Sequence, residues 1–268
     1  MKFSISNIAW SAENDKAAYA MMNKYGFTGL EIAPTRIFPN EPYGQLDVAK
    51  KWSQDLNRVY GFTVPSMQSI WFGKTERIFA SEEKRNCLIQ YTKQAIDFAE
   101  TIGCKNLVFG CPRNRTISEN MAPTEVYNIA VKFFKELGDY AALHNTVIGM
   151  EANPPIYNTN FINTTASALE LISAVDSKGF RLNLDVGTMI YNKESVDILA
   201  DKIQLINHVH ISEPYLNPIQ KRGLHKDLIS MLLNADYNGY ISIEMGKTDE
   251  LNVLEKAMEY VSHISGAH

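Results

Sequence analysis

Cysteine is scarce in this sequence and odd in number: Cys87, Cys104 and Cys111 among 268 residues. Three scattered thiols make no disulfide framework and suit a reducing compartment. Cys104 follows Gly103 and reads as core. Cys111 falls in a loop of the expected active face and reads as a buried, inert thiol. Basic charge is not in excess: 26 Lys and Arg face 30 Asp and Glu, for a net charge of −4. That balance leaves no electrostatic footprint for nucleic acid. Long apolar runs are missing too. Met1-Lys2-Phe3-Ser4-Ile5-Ser6 enters a strand directly, and nothing approaches the roughly 20 apolar residues that span a bilayer. Neither signal peptide nor membrane helix is expected, and the chain reads as cytoplasmic. With no linker or low-complexity segment, residues 1–268 read as one domain.

What the sequence does contain is an ordinary core composition, 45% hydrophobic and 21% charged. Its pattern alternates strand and helix throughout. Strands are expected near 2–8, 28–33, 63–68, 106–110, 146–151, 180–185, 205–211 and 239–244. Helices are expected near 13–25, 46–60, 81–102, 123–143, 165–176, 193–201, 223–234 and 250–262. Gly26, Gly61, Gly103, Gly179 and Gly239 each stand between a helix and the next strand, where a left-handed residue ends a helix. Eight such units predict an α/β fold, a (β/α)8 TIM barrel.

Four successive strands end on a metal-ligating type: Glu151, Asp185, His210 and Glu244, spaced 34, 25 and 34 residues apart. One strand, one helix and their loops occupy roughly 30 residues of a barrel, so all four side chains reach the same face. Two residues earlier on each strand stand Gly149, Asn183, His208 and Ser242, which point the same way one layer deeper. Asn183 and His208 are thereby placed where they can orient the ligands, although His208 also fits a satisfied core histidine. The alternate residues, Ile148 and Met150, Leu182 and Leu184, Val209 and Ile211, Ile241 and Ile243, are apolar and belong under the helices.

Three carboxylates and one imidazole form an oxygen-rich site for one divalent ion, Mn²⁺ first, with Mg²⁺, Co²⁺ or Zn²⁺ as alternatives. A dication there polarises a carbonyl and acidifies the neighbouring C–H. Glu151 and Glu244 then suit an acid/base pair that removes a proton and returns it, with the enediolate held on the metal. The same chemistry with a leaving hydroxyl is a dehydratase or lyase acting on a polyol or keto-inositol, and a carbohydrate-binding barrel without turnover is the third reading.

The residues Gly29-Leu30-Glu31-Ile32, Met150-Glu151-Ala152-Asn153, Leu184-Asp185-Val186-Gly187, His208-Val209-His210-Ile211-Ser212-Glu213 and Ile243-Glu244 carry a resemblance. With them the whole chain resembles the xylose isomerase-like barrel superfamily, apurinic endonuclease family 2, in its sugar (phosphate) isomerase/epimerase branch. The resemblance implies that Glu151, Asp185, His210 and Glu244 hold the metal and that Glu151 and Glu244 are catalytic. It implies a small carbohydrate substrate and a homodimer or homotetramer. One position departs: the ketose epimerases and the endonuclease carry a substrate-contacting or metal-binding histidine where this chain has Thr188. The endonuclease also uses further histidines for three zincs. The six here are His144, His208, His210, His225, His263 and His268, the last two in the terminal helix and tail. They are too few for that site, so no nucleic-acid partner is expected.

Residues at or just past strand ends complete the expected site: Trp10, Glu31, Arg36, Gln68, Trp71, Arg113, Arg115, Asn153, Glu213 and His225. Arg36, Arg113 and Arg115 suit either a phosphate or carboxylate clamp or ordinary surface ion pairs. Trp10 and Trp71 suit either a wall against a sugar ring or loop packing. Ile70-Trp71-Phe72 suits an apolar lid or a subunit contact, and His225 a substrate contact or a helix cap.

Overall fold

The computed structural model describes residues 1–264; His268 lies outside the described residues. Seven parallel strands are β1 (Lys2–Ser6), β2 (Gly29–Glu31), β3 (Leu107–Phe109), β4 (Ile148–Met150), β5 (Phe180–Asp185), β6 (Ile206–Ile211) and β7 (Tyr240–Ile243). They lie in the order β2-β1-β7-β6-β5-β4-β3. The expected third strand, 63–68, fills the space between β2 and β3. Leu30 N donates to Thr63 O (2.9 Å) and Gln68 N to Ile32 O (2.8 Å) on one side. On the other, Met67 N donates to Asn106 O (2.9 Å) and Val108 N to Met67 O (2.8 Å). Pro65 has no N–H, so this segment pairs through isolated bridges rather than as a continuous strand. The result is the eight-position α/β barrel.

Around it lie α1 (Asp15–Lys24), the short α2 (Pro34–Ile37), α3 (Leu46–Tyr60), α4 (Glu82–Ile102), α5 (Pro123–Leu143), α6 (Thr165–Val175), α7 (Val186–Asn192), α8 (Gly223–Asn234) and α9 (Leu251–Ile264). The outward residues of β4 to β7 named above are at most 1% exposed, so the period-two alternation buries them beneath this layer. No helix among the described residues is long and apolar enough to cross a membrane.

Two expectations need correction. The helix expected at 193–201 is displaced. Asp185 ends β5 and at once caps α7, its side chain accepting from Thr188 N. Lys193, at φ 57°, ends that helix, and only a 3-10 turn (Val196–Leu199) follows. Gly179 and Gly239, unlike Gly26, Gly61 and Gly103, are not left-handed; Asp176 and Asp236 take that conformation instead.

Gly179 serves close approach. A Cβ there would lie 2.1 Å from Gly138 O and 2.6 Å from Ala142 N, both backbone atoms of α5. Gly179→Ala must therefore push a helix off the barrel. We expect it to destabilise the fold by about 3 kcal/mol in urea denaturation; an unchanged midpoint would show that α5 yields freely.

Candidate metal centre and cavity

The ends of β4, β5, β6 and β7 bring Glu151, Asp185, His210 and Glu244 together, each offering a ligand atom within 4.8 Å of the others. A register shift between Leu182 and Asn183 leaves Asn207 as an extra residue on β6. Beyond it Asn183 pairs with His208 and Asp185 with His210. The shift thus keeps the imidazole level with the aspartate.

Each ligand is held by a different device. His210 directs Nε2 to Glu31 Oε2 (2.9 Å), which leaves Nδ1 facing Glu151 Oε1 (3.0 Å) and Glu244 Oε2 (3.2 Å). Asp185 Oδ2 accepts from Thr188 N (2.8 Å) and Thr188 Oγ1 (2.7 Å), and Oδ1 accepts from the Ser212 hydroxyl. Glu151 accepts from Asn183 Nδ2 (2.8 Å) at Oε1 and from Asn153 Nδ2 (3.0 Å) at Oε2. Glu244 Oε1 accepts from Gln68 Nε2 (3.0 Å). These second contacts orient the donors before any ion arrives, and an oxygen-rich set with one imidazole fits a divalent cation.

The electrostatics follow from burial. Burial pushes Glu244 up to about 7, against the pull of His210. Burial and the neighbouring Glu151 raise Asp185. Burial disfavours a charged His210, but Glu31, Glu244 and Glu151 outweigh it and hold the ring well above its usual value. Burial likewise works against an ionised Glu31, and His210 and His208 overcome it, holding the carboxyl low. Without an ion, a proton on His210 is the central positive charge.

A second positive charge lies beneath Glu151. Arg115 is 0% exposed. Its guanidinium donates to Glu151 O (2.8 Å), Asn153 Oδ1 (2.9 Å) and Ile162 O (3.3 Å). With Asn153 Oδ1 occupied, its NH₂ is turned onto Glu151. Gly110 packs against the same carboxylate, where a Cβ would meet Glu151 Oε2 at 2.8 Å. Arg115 is thus a brace inside the wall, not a phosphate clamp.

The cavity above the ligands has a volume of about 260 Å³. Of the expected substrate contacts, Gln68, Trp71, Asn153 and Glu213 line it. Trp71 is fixed by Nε1 donating to Thr92 Oγ1 (2.8 Å). Five others do not line it, each for a physical reason. Trp10 and Arg36 converge on Asp15, with Trp10 Nε1 at 2.8 Å and Arg36 Nη2 at 2.6 Å from Oδ1. Glu31 is buried below His210. Arg113 is exposed on the loop after β3. His225 is buried against Tyr260, with Nδ1 3.1 Å from the phenol oxygen. Asn183 holds Glu151, and His208 Nε2 approaches Glu31 Oε2 at 3.1 Å, one layer down. Thr188 is fully buried and its hydroxyl turns to Asp185 and Ala152 O rather than to the cavity. Tyr157, Val108 and Leu216 complete the lining and had no sequence signal. Phe72, from the expected apolar lid, lines it too. Cys111 also borders it, its thiol pushed up to about 12 by burial.

A family model described as xylose isomerase-like TIM barrel matches residues 19–263. No curated protein matches the chain significantly in sequence. Among solved structures, the apo form of 3-keto-D-glucoside 4-epimerase from E. coli is similar at TM-score 0.78 and 20% identity, covering 97% of this chain and 98% of that one. D-Psicose 3-epimerase with D-tagatose, from Clostridium cellulolyticum H10, has TM-score 0.78 at 15% identity over 99% and 98% of the two chains. The IolI protein with a bound zinc atom has TM-score 0.70 at 17% identity over 99% and 95%. At these identities the likeness is one of fold.

Two outcomes follow from the buried groups. Arg115→Met strands two buried acceptors, Glu151 O and Asn153 Oδ1, at about 1–3 kcal/mol each, while Ile162 O keeps Asn153 N. We expect a loss of about 3–5 kcal/mol in urea denaturation; a loss under about 1 kcal/mol would remove Arg115 as the brace. Burial pushes His225 down to about 4, whereas an unfolded histidine titrates near about 6.5. Between those values the unfolded chain takes up a proton that the folded chain refuses, so stability falls as pH drops through the window. His225→Gln should flatten that slope by about 2–3 kcal/mol between pH 6.5 and 4; parallel wild-type and variant curves would refute it.

Proposed function

We propose that this chain, which belongs to the xylose isomerase-like TIM barrel family, is a metal-dependent sugar epimerase or isomerase. The observation that carries this reading is the pair Glu151 and Glu244. Both line the cavity, both belong to the four-ligand cluster, and each is held by side-chain amides. Their environments differ in the way an acid/base pair requires. Glu151 receives an amide N–H on each oxygen and has Arg115 beneath its backbone carbonyl. Glu244 receives one amide N–H and faces His210, and before an ion binds burial pushes its carboxyl up to about 7.

Glu151, Asp185, His210 and Glu244 would hold a divalent ion, which would supply Lewis-acid polarisation of a carbonyl and so acidify the C–H of the adjacent hydroxyl-bearing carbon. Mn²⁺ suits the three-carboxylate set best. Glu151 takes the proton at a carboxylate oxygen, and Glu244 delivers one from its own carboxyl. Asn153, Asn183 and Gln68 keep both groups in place, and Glu31 keeps His210 turned with Nδ1 toward them. Trp71 closes one side of the cavity against water. The two structural neighbours that are epimerases of keto-sugars, and the third that holds zinc, support the reading.

Elemental analysis and exchange in deuterated water test it together. Purified protein should hold about one divalent ion per chain, lost in Asp185→Ala. With ketoses and their phosphates as candidate substrates, deuterium should enter recovered sugar and product. Glu244→Gln should retain metal while exchange falls by roughly 10²–10⁴-fold. A product lighter by one water would make the protein a dehydratase, and no label with metal bound would make it a binding protein. Wild-type exchange in Glu244→Gln would remove that residue from the mechanism.

A further inference from the structure

The cavity is rich in acceptors and short of donors. Four carboxylates line it, those of Glu151, Asp185, Glu213 and Glu244. Ionised carboxylates only accept. Most polar hydrogens of the other lining side chains are already spent. Gln68 Nε2 donates to Ser6 Oγ (2.8 Å) and Glu244 Oε1 (3.0 Å), which uses both its protons. Asn114 Nδ2 gives its two to Lys74 O (3.0 Å) and Glu76 O (2.8 Å). The hydroxyl of Ser69 donates to Gln68 Oε1 (3.1 Å), that of Ser212 to Asp185 Oδ1, and Trp71 Nε1 to Thr92 Oγ1. The Cys111 thiol turns to the Trp71 backbone. Asn153 keeps one N–H beyond the one it gives to Glu151. The other proton left over is the phenol of Tyr157.

Tyr157 ends a 3-10 turn (Pro155–Tyr157) after β4, entered through Pro154 and left through Asn158 at φ 62°. Two prolines stiffen the approach to it. Its phenol oxygen accepts from Tyr215 N at 2.8 Å, on the turn after β6, and among the described residues its own proton has no acceptor. Burial pushes the phenol up to about 12, and the charges of Asp185, Glu244 and Glu151 add to the rise. The group is therefore a donor at neutral pH, near enough to the three cluster carboxylates to feel each of them.

Building on the epimerase reading, we propose that Tyr157 is a catalytic hydrogen-bond donor, whose O–H is given to the substrate oxygen that gains negative charge as Glu151 removes the C–H proton. The proton stays on the phenol throughout. A phenol is more acidic than a carboxamide or an aliphatic hydroxyl, so its hydrogen bond gains most as that charge grows. The bond from Tyr215 N holds the phenol oxygen in place while its proton remains free for the substrate.

Glycolohydroxamate tests this before the sugar is known, because it presents two adjacent oxygens and negative charge as an enediolate does. In calorimetry on the Mn²⁺-loaded protein, Tyr157→Phe should bind it at least about 10-fold more weakly than wild type. Mn²⁺ affinity and the urea midpoint should stay unchanged. 3-Fluorotyrosine at position 157 separates a donor from a strut that merely holds Tyr215 N, since fluorine makes the phenol a stronger donor and a weaker acceptor. A donor binds the hydroxamate at least as tightly as wild type; a strut binds it more weakly. With a sugar that exchanges deuterium, Tyr157→Phe should lower kcat by about 10²-fold and leave KM within about 3-fold. Wild-type hydroxamate affinity in Tyr157→Phe, weaker binding with 3-fluorotyrosine, or a loss carried by KM alone overturns this inference and leaves the epimerase reading standing. If Mn²⁺-loaded wild type binds no hydroxamate, the epimerase reading falls and this inference with it.

Discussion

The arrangement depends on one constraint: four carboxylates, Glu31, Glu151, Asp185 and Glu244, are gathered around the single imidazole of His210 in a space from which water is largely excluded. Buried anions are costly unless each finds donors. Each of them does. Glu31 has His210, Glu151 has two amides, Asp185 has a helix N-terminus and two hydroxyls, and Glu244 has Gln68 and His210. Those donors dictate much of the surrounding chain. The immediate start of α7 after β5, the extra residue on β6 and the bare Cα of Gly110 all follow from holding these oxygens apart yet within reach of a common centre.

What was legible in the sequence was whatever the backbone period alone controls. A side chain at the end of a strand points where the pleat sends it, and in a closed barrel that direction is common to all strands. Hence Glu151, Asp185, His210 and Glu244 could be grouped from spacing, and Asn183 and His208 placed a layer below them. Residues on loops follow no such rule. Arg36, Trp10, Arg113 and Arg115 stand at similar distances beyond their strands. Asp15 captures the first two, solvent takes the third, and backbone carbonyls bury the fourth. Partner choice over tens of residues decides these fates, and no local pattern encodes it. Glu31 failed differently. Its position on the inner face was readable, but its partner was not, because the imidazoles of His208 and His210 that take up its carboxylate come from β6, with His210 179 residues further along the chain.

The helix displaced from 193–201 shows the same limit within one residue. Asp185 can be read as a strand end or as an N-cap, and each reading taken alone is sound. The fold uses both at once. The carboxylate that caps α7 is the one that faces the cluster, so helix start and metal ligand cannot be moved independently. Thr188 completes that coupling. In the third helical position it turns its backbone N–H onto Asp185 Oδ2, and its single hydroxyl proton lies between Asp185 Oδ2 and Ala152 O.

That last detail bears on substrate choice. A histidine at 188 would bring a polar, titratable ring to the wall between the ligands of β5 and β4. Threonine turns inward and braces the aspartate instead, so the position adds nothing polar to the cavity. Tyr157, Trp71, Phe72 and Leu216 line the cavity together with polar residues such as Gln68, Asn153 and Glu213. In the ligand cluster every carboxylate is tied from behind by hydrogen bonds. Trp71, Phe72 and Leu216 stand beyond strand ends instead, with Ser69 and Leu216 in left-handed conformations. The chemistry of the barrel and the identity of its ligand are therefore written in separate parts of the chain, strand ends for one and loops for the other.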